Sequence, residues 1–159
     1  MDDYQEMLGA LRLVLTDREG VVALDRRTSN RIVTSGRKLV AELFAGETTG
    51  LPRTPVSEMA VGTGGRQAGD ADTALAAPRG APKEISKVEY GEFVDAEGVR
   101  RVRASLIAQF GFDEANDPST PLREAGLFND ADVLYSRVVF QPVTKTDTFQ
   151  LTLLWEIVF

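Results

Sequence analysis

Residues Phe149–Phe159 read FQLTLLWEIVF. Phe149, Leu151, Leu153, Trp155, Ile157 and Phe159 share one parity, and Gln150, Thr152, Leu154, Glu156 and Val158 share the other. Successive side chains of a strand point to opposite faces, so this pattern predicts a strand with one wholly apolar face. A strand so apolar belongs in the centre of a sheet or under another subunit, because a bare edge of this kind aggregates.

The same period recurs upstream. In VRRVRASLIAQF, Val102, Ala104, Leu106, Ala108 and Phe110 point one way. Arg101, Arg103, Ser105 and Gln109 point the other way, interrupted by Ile107. SKVEYGEFV precedes it across Asp95-Ala96-Glu97-Gly98, a hairpin turn, and Glu89 and Glu92 are expected opposite Arg101 and Arg103. LREAGLF and VLYSRVVF read as strands separated by Asn129–Asp132, after a loop FGFDEANDPSTP. Near the start, Leu11–Leu15 and Val21–Leu24 flank Asp17-Arg18-Glu19-Gly20, a hairpin in which Gly20 takes the left-handed position. The preceding YQEMLGALRL fits a helical face or an arm that orders against a neighbour.

One helix stands out, TSGRKLVAELFAG. Thr34 or Ser35 is its expected cap, Leu39, Val40, Leu43 and Phe44 its apolar face, and Gly46 its terminator. VSEMAV reads as a short strand. Ala76–Lys83, AAPRGAPK, is expected to be a loop because its prolines oppose regular structure. The fold class is therefore mainly β: an antiparallel β-sandwich with one packed α-helix at about residues 35–45. Strand–helix alternation is missing, which argues against a doubly wound parallel sheet. Residues 1–30 read as an N-terminal arm and hairpin and residues 31–159 as the sandwich module, in one compact domain overall.

Composition narrows the chemistry. The chain of 159 residues carries a formal net charge of −6, against the basic excess of a dedicated nucleic-acid binder. It has no cysteine and no histidine, which removes disulfides, thiolate zinc sites and every Ser-His-Asp arrangement. A metal site is limited to oxygen ligands for calcium, magnesium or manganese. No apolar run approaches the roughly 20 residues of a membrane helix. The start, MDDYQEMLGA, is acidic and unlike a signal peptide. Synthesis in the cytoplasm, no membrane insertion, no nucleic-acid partner and no cofactor are the expectations.

The stretch with most chemical promise is MAVGTGGRQAGDADTAL, Met59–Leu75. It is not a P-loop, since Gly69 is followed by Asp70 and Ala71 rather than lysine and a hydroxyl. It is not a dinucleotide fingerprint, since Gln67 stands where the third glycine belongs after Gly62 and Gly64. Gly62, Gly64 and Gly65 read instead as a structural turn by which the chain leaves a strand, with Gly62 or Gly64 at positive φ. Asp72 reads as the cap of a short helical turn beside Thr73. Asp70 and Asp72 lack the further oxygen donors of a calcium loop. Asp113–Thr120, DEANDPST, reads as an Asx-turn loop. Glu124, alone between Leu122 and Leu127, reads as a half-buried, hydrogen-bonded structural acid. Ser86-Lys87 are merely adjacent and give no support for a Ser-Lys pair.

MAVGTGG…GDADTAL, REAGLFN and SRVVFQPVTKTDTFQLTLLWEIVF, taken in order, resemble a module of tailed-phage tail and tail-fibre proteins and of phage-like contractile injection systems. The matching pieces are Val61–Gly64, Asp72–Leu75, Glu124–Phe128, Phe140–Lys145 and Leu151–Phe159, and the resemblance covers roughly residues 30–159. The N-terminal hairpin followed by TSGRKLVAELFAG also resembles the start of such proteins. The resemblance implies a non-enzymatic structural protein of the virion or injection particle, with no catalytic site. The chain ends with the module, so an adaptor, fibre-attachment or baseplate-type subunit is expected.

The expected partners are other tail or baseplate subunits and further copies of the chain. Tyr4, Trp155 and Phe159 are the proposed assembly contacts, the first on an acidic arm and the others on the apolar last strand. Three alternatives compete. A carbohydrate- or receptor-binding module on the tail would use Tyr4, Tyr90 or Tyr135. A head or neck decoration protein would assemble elsewhere in the virion. A small carboxylate hydrolase would use Asp70, Asp72 or Glu124.

Overall fold

The computed structural model describes residues 7–46 and 53–159, so Tyr4 lies outside the described residues. The strands are β1 (Leu8–Asp17), β2 (Val22–Ser29), β3 (Arg31–Ile32), β4 (Val56–Gly62), β5 (Pro78–Glu84), β6 (Lys87–Val94), β7 (Arg100–Phe110), β8 (Leu122–Asn129), β9 (Leu134–Val143) and β10 (Phe149–Val158). One helix, α1 (Thr34–Ala45), follows β3. They form two five-stranded antiparallel sheets, ordered β2-β1-β10-β7-β6 and β3-β9-β8-β4-β5. This is the expected β-sandwich with one helix.

β10 is the central strand of the first sheet, between β1 and β7. Its apolar parity faces the second sheet: Leu151, Leu153, Trp155 and Ile157 are buried. Leu11, Leu13 and Leu15 of β1 stand beside them, opposite Trp155, Leu153 and Leu151. Met59, Val61, Leu122, Leu127 and Val138 of the second sheet complete the core. Each such side chain contributes about 1.5–3 kcal/mol on leaving water.

Three turns use one device. Asp17 Oδ1 accepts the N–H groups of Glu19 and Val21, Asp95 Oδ1 those of Glu97 and Val99, and Asn129 Oδ1 those of Ala131 and Val133. A short side-chain acceptor thus ties its own turn before the chain reverses. Gly20 and Gly98 take φ of 84° and 82°, as the two Asp-x-x-Gly signals predict.

Several sequence expectations fail in detail. Ala76–Lys83 is not all loop: β5 begins at Pro78. Its prolines are tolerated because β5 is an edge strand, where a missing N–H faces no partner. Glu89 and Glu92 lie opposite Ser105 and Val102, not Arg101 and Arg103. They pair instead with Lys87 and Arg100, while Arg101 holds Asp95. Neither Thr34 nor Ser35 caps α1 through its side chain. Val33 occupies the N-cap position, and Ser35 Oγ donates to the Leu134 carbonyl at 2.6 Å. Gly46 ends the helix at φ 76° as expected, but only Leu39 of the apolar face is buried, and Phe44 is 93% exposed.

Candidate functional site

Sheet two is covered on its outer side as well. Residues 63–77 leave β4, fold over that face and return to β5, with the loop closed by the Thr63 N–H donating to the Ala77 carbonyl at 2.8 Å. Leu75 from this loop joins Val33, Ala60, Phe128 and Leu134 in a second, smaller apolar cluster. β8 is therefore buried on both faces, and Glu124, on the outer one, is fully buried.

Glu124 is surrounded by donors. Its carboxylate accepts the backbone N–H groups of Gly64 (3.0 Å), Ala76 (3.0 Å) and Ala77 (2.7 Å). Arg137 Nε of β9 donates to it at 2.8 Å. Arg137 is also fully buried; it gives Nη1 to Asp72 at 2.9 Å and Nη2 to the Arg66 carbonyl at 2.9 Å. Asp72 also accepts the Gly69 N–H at 3.0 Å and Arg66 Nη2 at 2.8 Å. Burial pushes the Asp72 carboxyl up, but the hydrogen bonds from Gly69, Arg66 and Arg137 outweigh it and hold its pKa below the usual value. The two carboxylates and the Arg137 guanidinium thus fasten the glycine loop to the sheet at both of its ends and in its middle.

The expected positive φ at Gly62 or Gly64 is a further correction: among the described residues the positive-φ glycines are Gly20, Gly46, Gly80 and Gly98. Glycine is needed for close approach instead. A Cβ on Gly64 would lie 2.6 Å from Glu124 Oε1, and one on Gly62 would collide with the Ala77 carbonyl and sit 2.6 Å from the same oxygen. Gly65 is free of this constraint, its nearest neighbours being Arg123 side-chain atoms at 3.6 Å. Asp72 caps no helical turn; it bridges Gly69, Arg66 and Arg137.

The remaining candidates separate. Asp70 is exposed and pairs with Arg31. Asp117 makes the expected Asx-turn, accepting the Ser119 hydroxyl (2.7 Å), the Ser119 N–H (2.8 Å) and the Thr120 N–H, which hold its carboxyl at about 2. Ser86 Oγ donates to the Ile107 carbonyl, and Lys87 pairs with Glu89. No cluster of three or more acidic side chains able to hold a metal occurs among the described residues. Trp155 is buried between the sheets and is not available as an assembly contact within this fold, whereas Phe159 is 43% exposed. Tyr135 is buried and Tyr90 is 78% exposed.

Sequence reasoning missed Arg137 and Lys145. Each has a faint signal, a single cation in an apolar or turn-rich run, SRVVF and PVTKT. Lys145 is fully buried; Nζ donates to Asn116 Oδ1 at 2.7 Å and to the Thr146 carbonyl at 3.0 Å. Burial draws its pKa down against the pull of Glu114, Asp113 and Asp147. It anchors the loop before β8, whose Asp117 N–H donates to the Lys145 carbonyl at 3.0 Å.

Comparison of the chain with protein-family models, with curated proteins and with solved structures gives no match.

Proposed function

We propose that the chain is a non-enzymatic structural subunit of a phage tail, baseplate or phage-like contractile injection particle, acting as an adaptor or fibre-attachment protein through subunit contacts. The observation that carries this reading is the use made of the acids. Glu124 and Asp72, the strongest candidates for chemistry in the sequence, are engaged with backbone N–H groups and with Arg137. The motifs behind the tail resemblance fall on the same scaffold: Val61–Gly64 at the end of β4, Asp72–Leu75 in the covering loop, Glu124–Phe128 in β8 and Leu151–Phe159 through β10. Apolar surface lies outside it, at Tyr90, Val94, Phe44 and Phe159. This combination of a fastened core with exposed apolar edges suits repeated contact with other subunits.

The test is to purify tails or injection particles from the producing bacterium on a density gradient and identify their proteins by mass spectrometry. Co-sedimentation at a fixed ratio to the tube or baseplate proteins is expected. A chain found only in the soluble fraction refutes the particle role.

A further inference from the structure

The two sheets have four edge strands, and three carry features that hinder pairing with another chain. β5 contains Pro78, Pro82 and a Gly80 at φ 67°. β2 is offset against β1 at Leu15/Thr16 and carries the charged run Asp25-Arg26-Arg27. β3 is two residues long. β6 has none of these: it runs Lys87–Val94 without proline and without a break in register against β7. A long, regular edge with apolar side chains is a template for another strand.

The free groups of that edge are fixed by its neighbours. Val102 and Phe159 exchange both backbone hydrogen bonds, at 3.1 and 2.9 Å, so even-numbered residues of β7 face β10 and odd-numbered ones face β6. Through the β6–β7 register, Lys87, Glu89, Gly91 and Phe93 face inward to β7. Val88, Tyr90, Glu92 and Val94 therefore present their N–H and C=O groups outward. Their side chains lie on the face of Leu106 and Ala104, which they extend beyond the cover of sheet two. There Val88 and Tyr90 border an apolar groove of about 340 Å³ closed on the far side by Leu39 and Leu43 of α1.

We propose that β6 pairs antiparallel with β6 of a second copy, about a two-fold axis through Gly91. Only this register engages all four outward-facing residues, Val88 with Val94 and Tyr90 with Glu92, in both directions. It sets Lys87 opposite Asp95 at each end and places no like charges across from one another, so the edge is charge-complementary to itself. A shift of two residues toward Val94 sets Glu92 against Glu92, and the opposite shift leaves Val94 without a partner in the strand. The pairing joins two five-stranded sheets into one continuous sheet and brings the two apolar faces side by side. It supplies a partner for the assembly reading and rests on that reading's premise of subunit contacts. The two fail separately: a dimer absent from every particle retires the tail role alone, and a monomeric tail component retires the dimer alone.

The chain has no cysteine, which makes single-cysteine variants a direct probe. Across the axis the two Gly91 Cα atoms form a non-hydrogen-bonded pair at about 4.5 Å, within disulfide reach. A Cβ at Gly91 meets only Arg103 Nη2 at 3.8 Å, so cysteine fits. In Glu89→Cys the two sulfurs would be displaced by four residues, about 13 Å along the strand. Sedimentation of the unmodified chain at micromolar concentration is expected to give twice the 17.3 kDa mass. Gly91→Cys is expected to form a covalent dimer under mild oxidant, and Glu89→Cys to stay uncrosslinked. Tyr90→Pro removes an outward N–H that has no partner within the monomer; it is expected to halve the mass with an unchanged circular dichroism spectrum. A monomer throughout, equal crosslinking of the two cysteine variants, or association only with a foreign strand would overturn the proposal. If Tyr90→Pro fails to fold, the cysteine pair still decides.

Discussion

Replacing Glu124 with glutamine keeps the shape of the side chain and removes its charge. One oxygen still accepts from Gly64 and Ala77, whose N–H groups both point to Oε1. The amide nitrogen then stands where Oε2 receives the Ala76 N–H and Arg137 Nε–H, so three donors confront one another. Arg137, fully buried, keeps Asp72 as its only carboxylate. Breaking a buried ion pair by altering one partner costs about 3–5 kcal/mol. For a domain of this size that lowers Tm by about 6–20 °C, at about 2–4 °C per kcal/mol. The assay is thermal unfolding followed in the near-ultraviolet, where the buried Trp155 reports packing. Replacing Glu124 and Arg137 together is expected to cost less than the sum of the single losses, with a coupling of about 1–3 kcal/mol. A Glu124→Gln protein melting within about 2 °C of the parent, a loss of under about 1 kcal/mol, would refute the reasoning.

Gly64→Ala is expected to lose about 1–3 kcal/mol because its Cβ has no room, while Gly65→Ala stays within about 0.5 kcal/mol; equal urea midpoints for the two would contradict the close-approach account. Trp155→Ala should lose about 3–5 kcal/mol in chemical unfolding as a core truncation, whereas Phe159→Ser should leave the melting temperature nearly unchanged. Acid should destabilise the fold. Asp72, Asp95, Glu114 and Asp117 all have depressed folded-state pKa values, the last at about 2. Their contribution is complete above the unfolded carboxylate range and is lost as pH falls from about 4 towards 2, so the urea midpoint should drop over that interval and a flat profile would contradict the assignment.

What was legible in the sequence is what short-range physics controls. Period-two alternation marks β10 as a strand for the middle of a sheet or for the cover of another subunit, of which the fold shows the first, and the Asp-x-x-Gly turns mark two hairpins. The alternation did not say what covers the apolar face. Trp155 was equally compatible with a second sheet and with a second subunit, and the second sheet occupies that place. β5 was hidden because proline opposes strands in general, yet edge positions relax the rule. Glu124 was legible as an odd acid in an apolar strand. Its loop partners were not, since Gly64, Ala76 and Ala77 lie 47–60 residues away in the chain and reach it only when the loop closes over β8. The glycines stand out in the sequence as turn residues, whereas the role of Gly62 and Gly64 is to let a carboxylate approach the backbone.

Glu124 and Asp72, with Arg137 between them, hold the glycine loop in place. Amide hydrogen exchange at Gly64, Ala76 and Ala77 tests it most directly, because each N–H donates to Glu124. Protection comparable to the amides of β8 at all three positions, falling sharply at Ala76 in Glu124→Gln while β10 stays protected, is the predicted result. Rapid exchange at these three positions in the unaltered protein would contradict it.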